Sequence, residues 1–91
     1  MEQIELNLAG CATREELHSR IRDALEFPPY YGMNLDALSD MLTTESRPLR
    51  LLVRYPAEPC EALRGYWPRL LRVIDNAALD NERLQVIYRE E

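Results

Sequence analysis

Leu49-Arg50-Leu51-Leu52-Val53-Arg54-Tyr55 is the stretch on which the fold turns. It follows Pro48 and is apolar at every position except its two arginines, a β-friendly run of strand length. Upstream, Asn34 is a favoured N-cap, and Leu35, Leu38 and Leu42 mark the inward face of a helix reaching Thr43. An earlier helix opens on Thr13 with Glu16 three residues on, a capping box, and turns Leu17, Ile21, Ala24 and Leu25 inward before Pro28-Pro29 ends it. Ile4, Leu6 and Leu8 alternate with Glu5 and Asn7 as a first strand. Downstream, a short helix is expected over about Ala57 to Arg64. Gly65 interrupts, and a fourth helix carries Pro68 in its first turn and Leu70, Leu71, Val73, Ile74, Ala77 and Ala78 on its apolar face. Leu84 to Tyr88 is the last strand.

The order is strand, two helices, strand, two helices, strand. Parallel strands need long crossovers, which helices usually supply. The expected architecture is therefore α/β: a three-stranded parallel sheet with about four helices packed on it, in one domain spanning residues 1–91. Neither a repeat nor a Gly/Ser linker divides the chain.

Composition narrows the function. Net charge is −5 and all eleven cations are Arg. An acidic chain is poorly suited to direct nucleic-acid binding, which rests on cations meeting phosphates, and well suited to a basic protein partner. No apolar run approaches membrane length, and the acidic N-terminus is unlike a secretory signal. With only Cys11 and Cys60, read as semi-buried reduced thiols, the expectation is a cytoplasmic protein. The single His18 reads as a packing or solvent-facing residue, and the Tyr66-Trp67 pair as packing. No phosphate loop, nucleophile elbow or metal-spaced His/Cys cluster is present, so neither cofactor, metal nor catalytic residue is expected.

Charge is unevenly distributed. From Asp23 through Ser46 stand five acids and no Arg; from Arg47 through Arg72 stand six Arg and two acids. Asp36 and Asp40 share one face of the second helix, and Thr43 continues that face one turn on. This face is either merely solvated or set to meet cations. Tyr30 and Tyr31, read as exposed beside Gly32, favour the latter, because tyrosine beside charge is common at binding hot spots. A carboxylate pair could also serve as general acid and base, but nothing else in the chain supports catalysis.

Residues 27–43, Phe-Pro-Pro-Tyr-Tyr-Gly-Met-Asn-Leu-Asp-Ala-Leu-Ser-Asp-Met-Leu-Thr, closely resemble the barstar family of ribonuclease inhibitors. Glu-Leu-His at 16–18 and Arg-Pro-Leu at 47–49 extend the likeness. The resemblance implies the fold expected above and stoichiometric inhibition of a barnase-like, guanyl-preferring ribonuclease, protecting the cell that makes it. By position it implies that Asp40 stands in for a substrate phosphate, Asp36 meets basic groups at the rim, Tyr30 packs beside the cleft and Thr43 adds a hydrogen bond. Gly32, Asn34, Ser39 and Asn76 complete the implied partner-binding set of a monomeric inhibitor. Two positions depart from the family pattern. Ser39 stands where an aromatic is common, and Asn76 where the last helix often carries an acid, with Asp75 displaced onto another face. A partner that is a different nuclease, or not a nuclease, is the alternative. The resemblance also marks Arg47-Pro48 as a candidate cis peptide.

Overall fold

The computed structural model describes all 91 residues. In chain order it contains β1 (Glu2–Asn7), α1 (Arg14–Leu25), α2 (Leu35–Thr43), β2 (Leu49–Tyr55), a single 3-10 turn (Glu61–Leu63), α3 (Tyr66–Asp80) and β3 (Leu84–Glu90). The strands form one parallel sheet in the order β1-β2-β3. Leu49–Tyr55 is thus the central strand, with Leu49, Leu51, Leu52 and Val53 all buried.

Register assigns the two faces. Leu6, Val53 and Tyr88 align across the sheet, as do Ile4, Leu51 and Val86, on the face turned to the helices. The opposite face presents Glu5, Leu52 and Ile87 in one row and Asn7, Arg54 and Arg89 in another. Arg54 bonds Glu5 and Glu91 there. α1 lies on β1 and α3 on β3, while α2 makes its main contact with α3 rather than with the sheet. Twenty buried apolar residues merge into one core. No helix is long and apolar enough to cross a membrane.

The helix ends follow local chemistry. Glu16 N–H donates to the Thr13 hydroxyl at 3.1 Å, and the Glu16 carboxylate reaches back to Ala12 N–H at 3.2 Å. The box is therefore formed, its return bond one residue earlier than the usual pattern. α1 ends on Glu26 in the left-handed region (φ 56°), and the prolines follow.

The helix count differs from the expected four. The span from Ala57 to Arg64 yields only the 3-10 turn, held by Leu63 N–H to Cys60 O at 3.0 Å and Arg64 N–H to Glu61 O at 3.3 Å. Pro56 and Pro59 explain this: each lacks a donor, and Pro59 disfavours helical geometry at Glu58. α3 starts at Tyr66, two residues before Pro68. Its first-turn amides have no acceptor inside the helix, so the proline costs no bond there. Every peptide bond is trans, Arg47–Pro48 included. Cys11 is buried and Cys60 exposed rather than both semi-buried, and the two are not bonded to each other.

Candidate partner-binding site

α2 is held at both ends. At its start, Asn34 Oδ1 accepts Ala37 N–H at 2.8 Å while Asn34 Nδ2 donates to Gly32 O at 3.1 Å. One side chain thereby caps the helix and closes the preceding loop. Gly32 packs close under this cap: a Cβ there would lie 3.2 Å from Asn34 Nδ2 and 3.3 Å from the Ala37 Cβ, so both side chains would have to give way. Met33 has φ 57°, a left-handed conformation that side chains resist and that the flanking cap must hold. At its end, Asn81 from the C-terminus of α3 donates from Nδ2 to Leu42 O and to Glu45 O, both at 2.9 Å. The Asn81 side-chain oxygen accepts Arg83 N–H at 3.0 Å. Thr43 Oγ1 donates to Ser39 O at 2.8 Å, and Thr44 Oγ1 to Asp40 O at 2.6 Å.

Ion pairing separates the five acids of the Asp23–Ser46 stretch. Asp23 meets Arg22 at 3.3 Å, and Arg47 holds Glu45 at 2.8 Å and reaches Glu26 at 3.9 Å. Hydrogen bonds from Arg47 hold the Glu45 carboxyl below its ordinary value. Asp36 and Asp40 alone have no cation within 4.0 Å, and both are exposed. Asp36 lies in the first turn of α2, where the helix dipole favours an anion, and no basic residue occupies the last turn to offset Asp40.

Beside Asp40 opens a cavity of about 260 Å³ lined by Tyr30, Tyr31, Gly32, Ala37, Asp40 and Met41. A ring or a guanidinium could enter it and meet a carboxylate at its edge. Two larger surface hollows, one on the first half of α1 and one between β1 and α1, are lined mainly by polar side chains.

Of the residues singled out from sequence, the cavity gathers Tyr30, Gly32 and Asp40. Asp36 lies one turn before Asp40 on α2, and Asn34 sits beneath as the cap. Ser39 and Thr43 are half-buried on the same helix, with the Thr43 hydroxyl donating inside it. Asn76 is exposed on α3, outside the cavity. Asp75 does not replace the missing acid, because its carboxylate accepts from the Tyr88 hydroxyl.

The two tyrosines, read alike from sequence, have opposite fates. Tyr30 is 83% exposed, whereas Tyr31 is 5% exposed and points its hydroxyl at His18. Burial pushes the Tyr31 hydroxyl well above the ordinary tyrosine range. His18 is fully buried, the packing alternative of its sequence reading, and Tyr66 and Trp67 are buried as expected. Ala37, Met41 and the Asn81 clamp escaped sequence reasoning. An Asn after an apolar helix signals a C-cap, but nothing local says what its side chain reaches. No group of three or more His, Cys, Asp or Glu is arranged to hold a metal.

Residues 1–89 match the family model described as "Barstar (barnase inhibitor)". The chain is also 42% identical over 64 residues to a Bacillus subtilis (strain 168) protein named "Putative ribonuclease inhibitor YrdF", covering 69% of this chain and 70% of that protein.

Proposed function

The chain belongs to the barstar family, and on that premise we propose that it is a stoichiometric protein inhibitor of a barnase-like, guanyl-preferring ribonuclease. Family membership and the named relative support ribonuclease inhibition in general. The guanyl preference and the role of α2 are the finer reading. The observation that carries it is the pairing pattern: Asp36 and Asp40 are the two acids of the negative stretch left without cations, on a helix capped at both ends, beside a cavity edged by an exposed tyrosine.

A ribonuclease cleft must bind phosphate, so it concentrates cations. Asp40, at the edge of the cavity, stands in for that phosphate, and Asp36 meets cations at the rim. A carboxylate on a rigid helix loses little freedom on meeting an arginine fork, and exclusion of water strengthens the pair. Tyr30 supplies apolar area at small entropic cost. The partner-binding surface comprises Tyr30, Gly32, Asn34, Asp36, Ser39, Asp40 and Thr43, with Asn76 at its margin. Binding occludes the cleft without chemistry, so the protein is not an enzyme and needs no cofactor. It acts as a monomer in the cytoplasm, as immunity for the producing cell.

Ser39 and Asn76 favour one second reading. They remove an aromatic and an acid from the family's usual surface, which suits a nuclease of another specificity or a non-nuclease partner. Titrating the protein into a guanyl-preferring ribonuclease with a fluorogenic RNA substrate separates the two. The first reading expects loss of activity ending at equimolar inhibitor and an association rate that falls steeply with ionic strength. Full activity at several-fold molar excess would transfer the protein to the second reading.

A further inference from the structure

We propose that His18 is the positioning residue of the partner-binding loop: its two ring nitrogens tie Tyr31, and with it the Tyr30–Gly32 edge of the cavity, to α1 and α3, and proton uptake by the ring releases that edge. This rests on the reading of the loop as partner-binding.

His18 lies on the inward face of α1 with Leu17, Ile21 and Leu25 and is 0% exposed. Its Nδ1 is 2.7 Å from the Tyr31 hydroxyl and its Nε2 is 2.6 Å from the Tyr66 hydroxyl. A neutral imidazole has one donor and one acceptor nitrogen. One tyrosine therefore donates to the ring and the other accepts from it. Three elements that are distant in sequence meet in this chain of bonds: α1, the loop before α2 and the first turn of α3. The loop has few other ties, namely Tyr31 N–H to Pro28 O at 3.0 Å and the Asn34 bond to Gly32 O. It also carries the left-handed Met33, so its shape must be imposed from outside. Tyr31 stacks at a tilt on Phe27 with ring centroids 5.1 Å apart, and it lines the cavity itself.

A protonated ring has donors on both nitrogens. The tyrosine that donated must then turn its hydroxyl hydrogen away and gives up the one hydrogen-bond partner that its hydroxyl has in the structure. The groups facing the ring discourage the charge. The loop contributes Tyr31 and α3 contributes Tyr66. Around the Tyr66 ring stand the guanidiniums of Arg14 from α1, 4.4 Å from its centroid, and Arg69 from α3, at 5.7 Å. Neither ring nitrogen bonds a carboxylate. In agreement, burial holds His18 below its ordinary value. The loop is thus held at neutral pH, and acidification loosens it before the rest of the fold.

Amide hydrogen exchange of the free protein tests this without any partner. Tyr31→Phe keeps the ring and removes the hydroxyl. It should lower the protection of the Tyr31 amide, which bonds Pro28 O, about tenfold, the effect of one lost buried hydrogen bond. In the wild type, the protection factor of the Tyr31 amide, its exchange rate taken against the intrinsic rate at each pH, should fall on acidification in step with the His18 ring, followed by its nitrogen shifts. His18→Gln, whose amide can both donate and accept, should retain the protection and lose the pH response. With a barnase-like ribonuclease as probe, the dissociation rate should rise about tenfold in Tyr31→Phe. Protection of the Tyr31 amide equal to wild type in Tyr31→Phe, or a protection factor that stays constant as the His18 ring takes up its proton, would overturn the proposal. Failure of the ribonuclease to bind the wild type would count against the inhibitor reading, and the exchange results would still decide the role of His18.

Discussion

Replacing Asp40 by Asn should move stability and binding in opposite directions. The substitution removes one charge and keeps the shape, and Asn and Asp have similar helix propensities. In the free protein the Asp40 carboxylate holds no cation and no hydrogen bond; only its backbone oxygen is used, by Thr43 and Thr44. The charge sits near the negative end of the α2 dipole, an unfavourable placement of about 0.3–1 kcal/mol at low ionic strength. It also faces Asp36 four residues back, which costs about 0.2–0.5 kcal/mol. Asp40→Asn should therefore stabilise the free protein by roughly 0.5–1.5 kcal/mol, diminishing as salt is added. Each kcal/mol raises the melting midpoint by about 4–8 °C in a domain of this size. Affinity for the ribonuclease should fall by at least ~2 kcal/mol, about 30-fold in Kd. Thermal unfolding and calorimetric titration read the two quantities on one sample. A drop in stability beyond about 1 kcal/mol would reveal a structural role for Asp40, and an unchanged Kd would remove it from the centre of the interface.

Asn81→Ala should cost about 3 kcal/mol in urea unfolding, since three hydrogen bonds to backbone groups are lost at ~1 kcal/mol each. It should also weaken partner binding, because the C-terminal end of α2 loses its clamp. Gly32→Ala should destabilise by about 1 kcal/mol, the worth of an N-cap, because the new methyl crowds Asn34; the same substitution at Gly10, where a Cβ meets nothing within 4 Å, is the control. Stability should fall on acidification from pH 7. The unfolded chain protonates His18 near 6.5 while the folded chain resists, so stability present above that value is lost below it, by up to ~1.4 kcal/mol per pH unit. Glu45, held low by Arg47, adds a second loss at lower pH. Denaturant midpoints in His18→Gln that keep the full wild-type slope between pH 7 and 5 would disprove the first contribution.

Much of this molecule was legible in one dimension. Alternation located the first strand, an apolar run the central one, helical spacing the inward faces of α1 and α2, and residue type the caps Thr13 and Asn34, because these depend on side chains within a turn of one another. Charge counting marked the stretch that carries Asp36 and Asp40. The helix number was misjudged where Pro56 and Pro59 outweighed apolar spacing. The adjacent Tyr30 and Tyr31 carried no local signal to distinguish them.

The sequence by itself determined the order of the strands and main helices, the parallel sheet that helical crossovers favour, and the two carboxylates one turn apart on α2. Those carboxylates would look the same on any solvated helix. Only the tertiary structure decided that Arg47 also reaches back to Glu26 while no cation comes near these two, and that α2 rests on α3 rather than on the sheet. It alone brought Asn81 under the end of α2 and His18 between Tyr31 and Tyr66. Such contacts join residues 13 to 48 positions apart, and chain spacing at that range says nothing about which side chains meet.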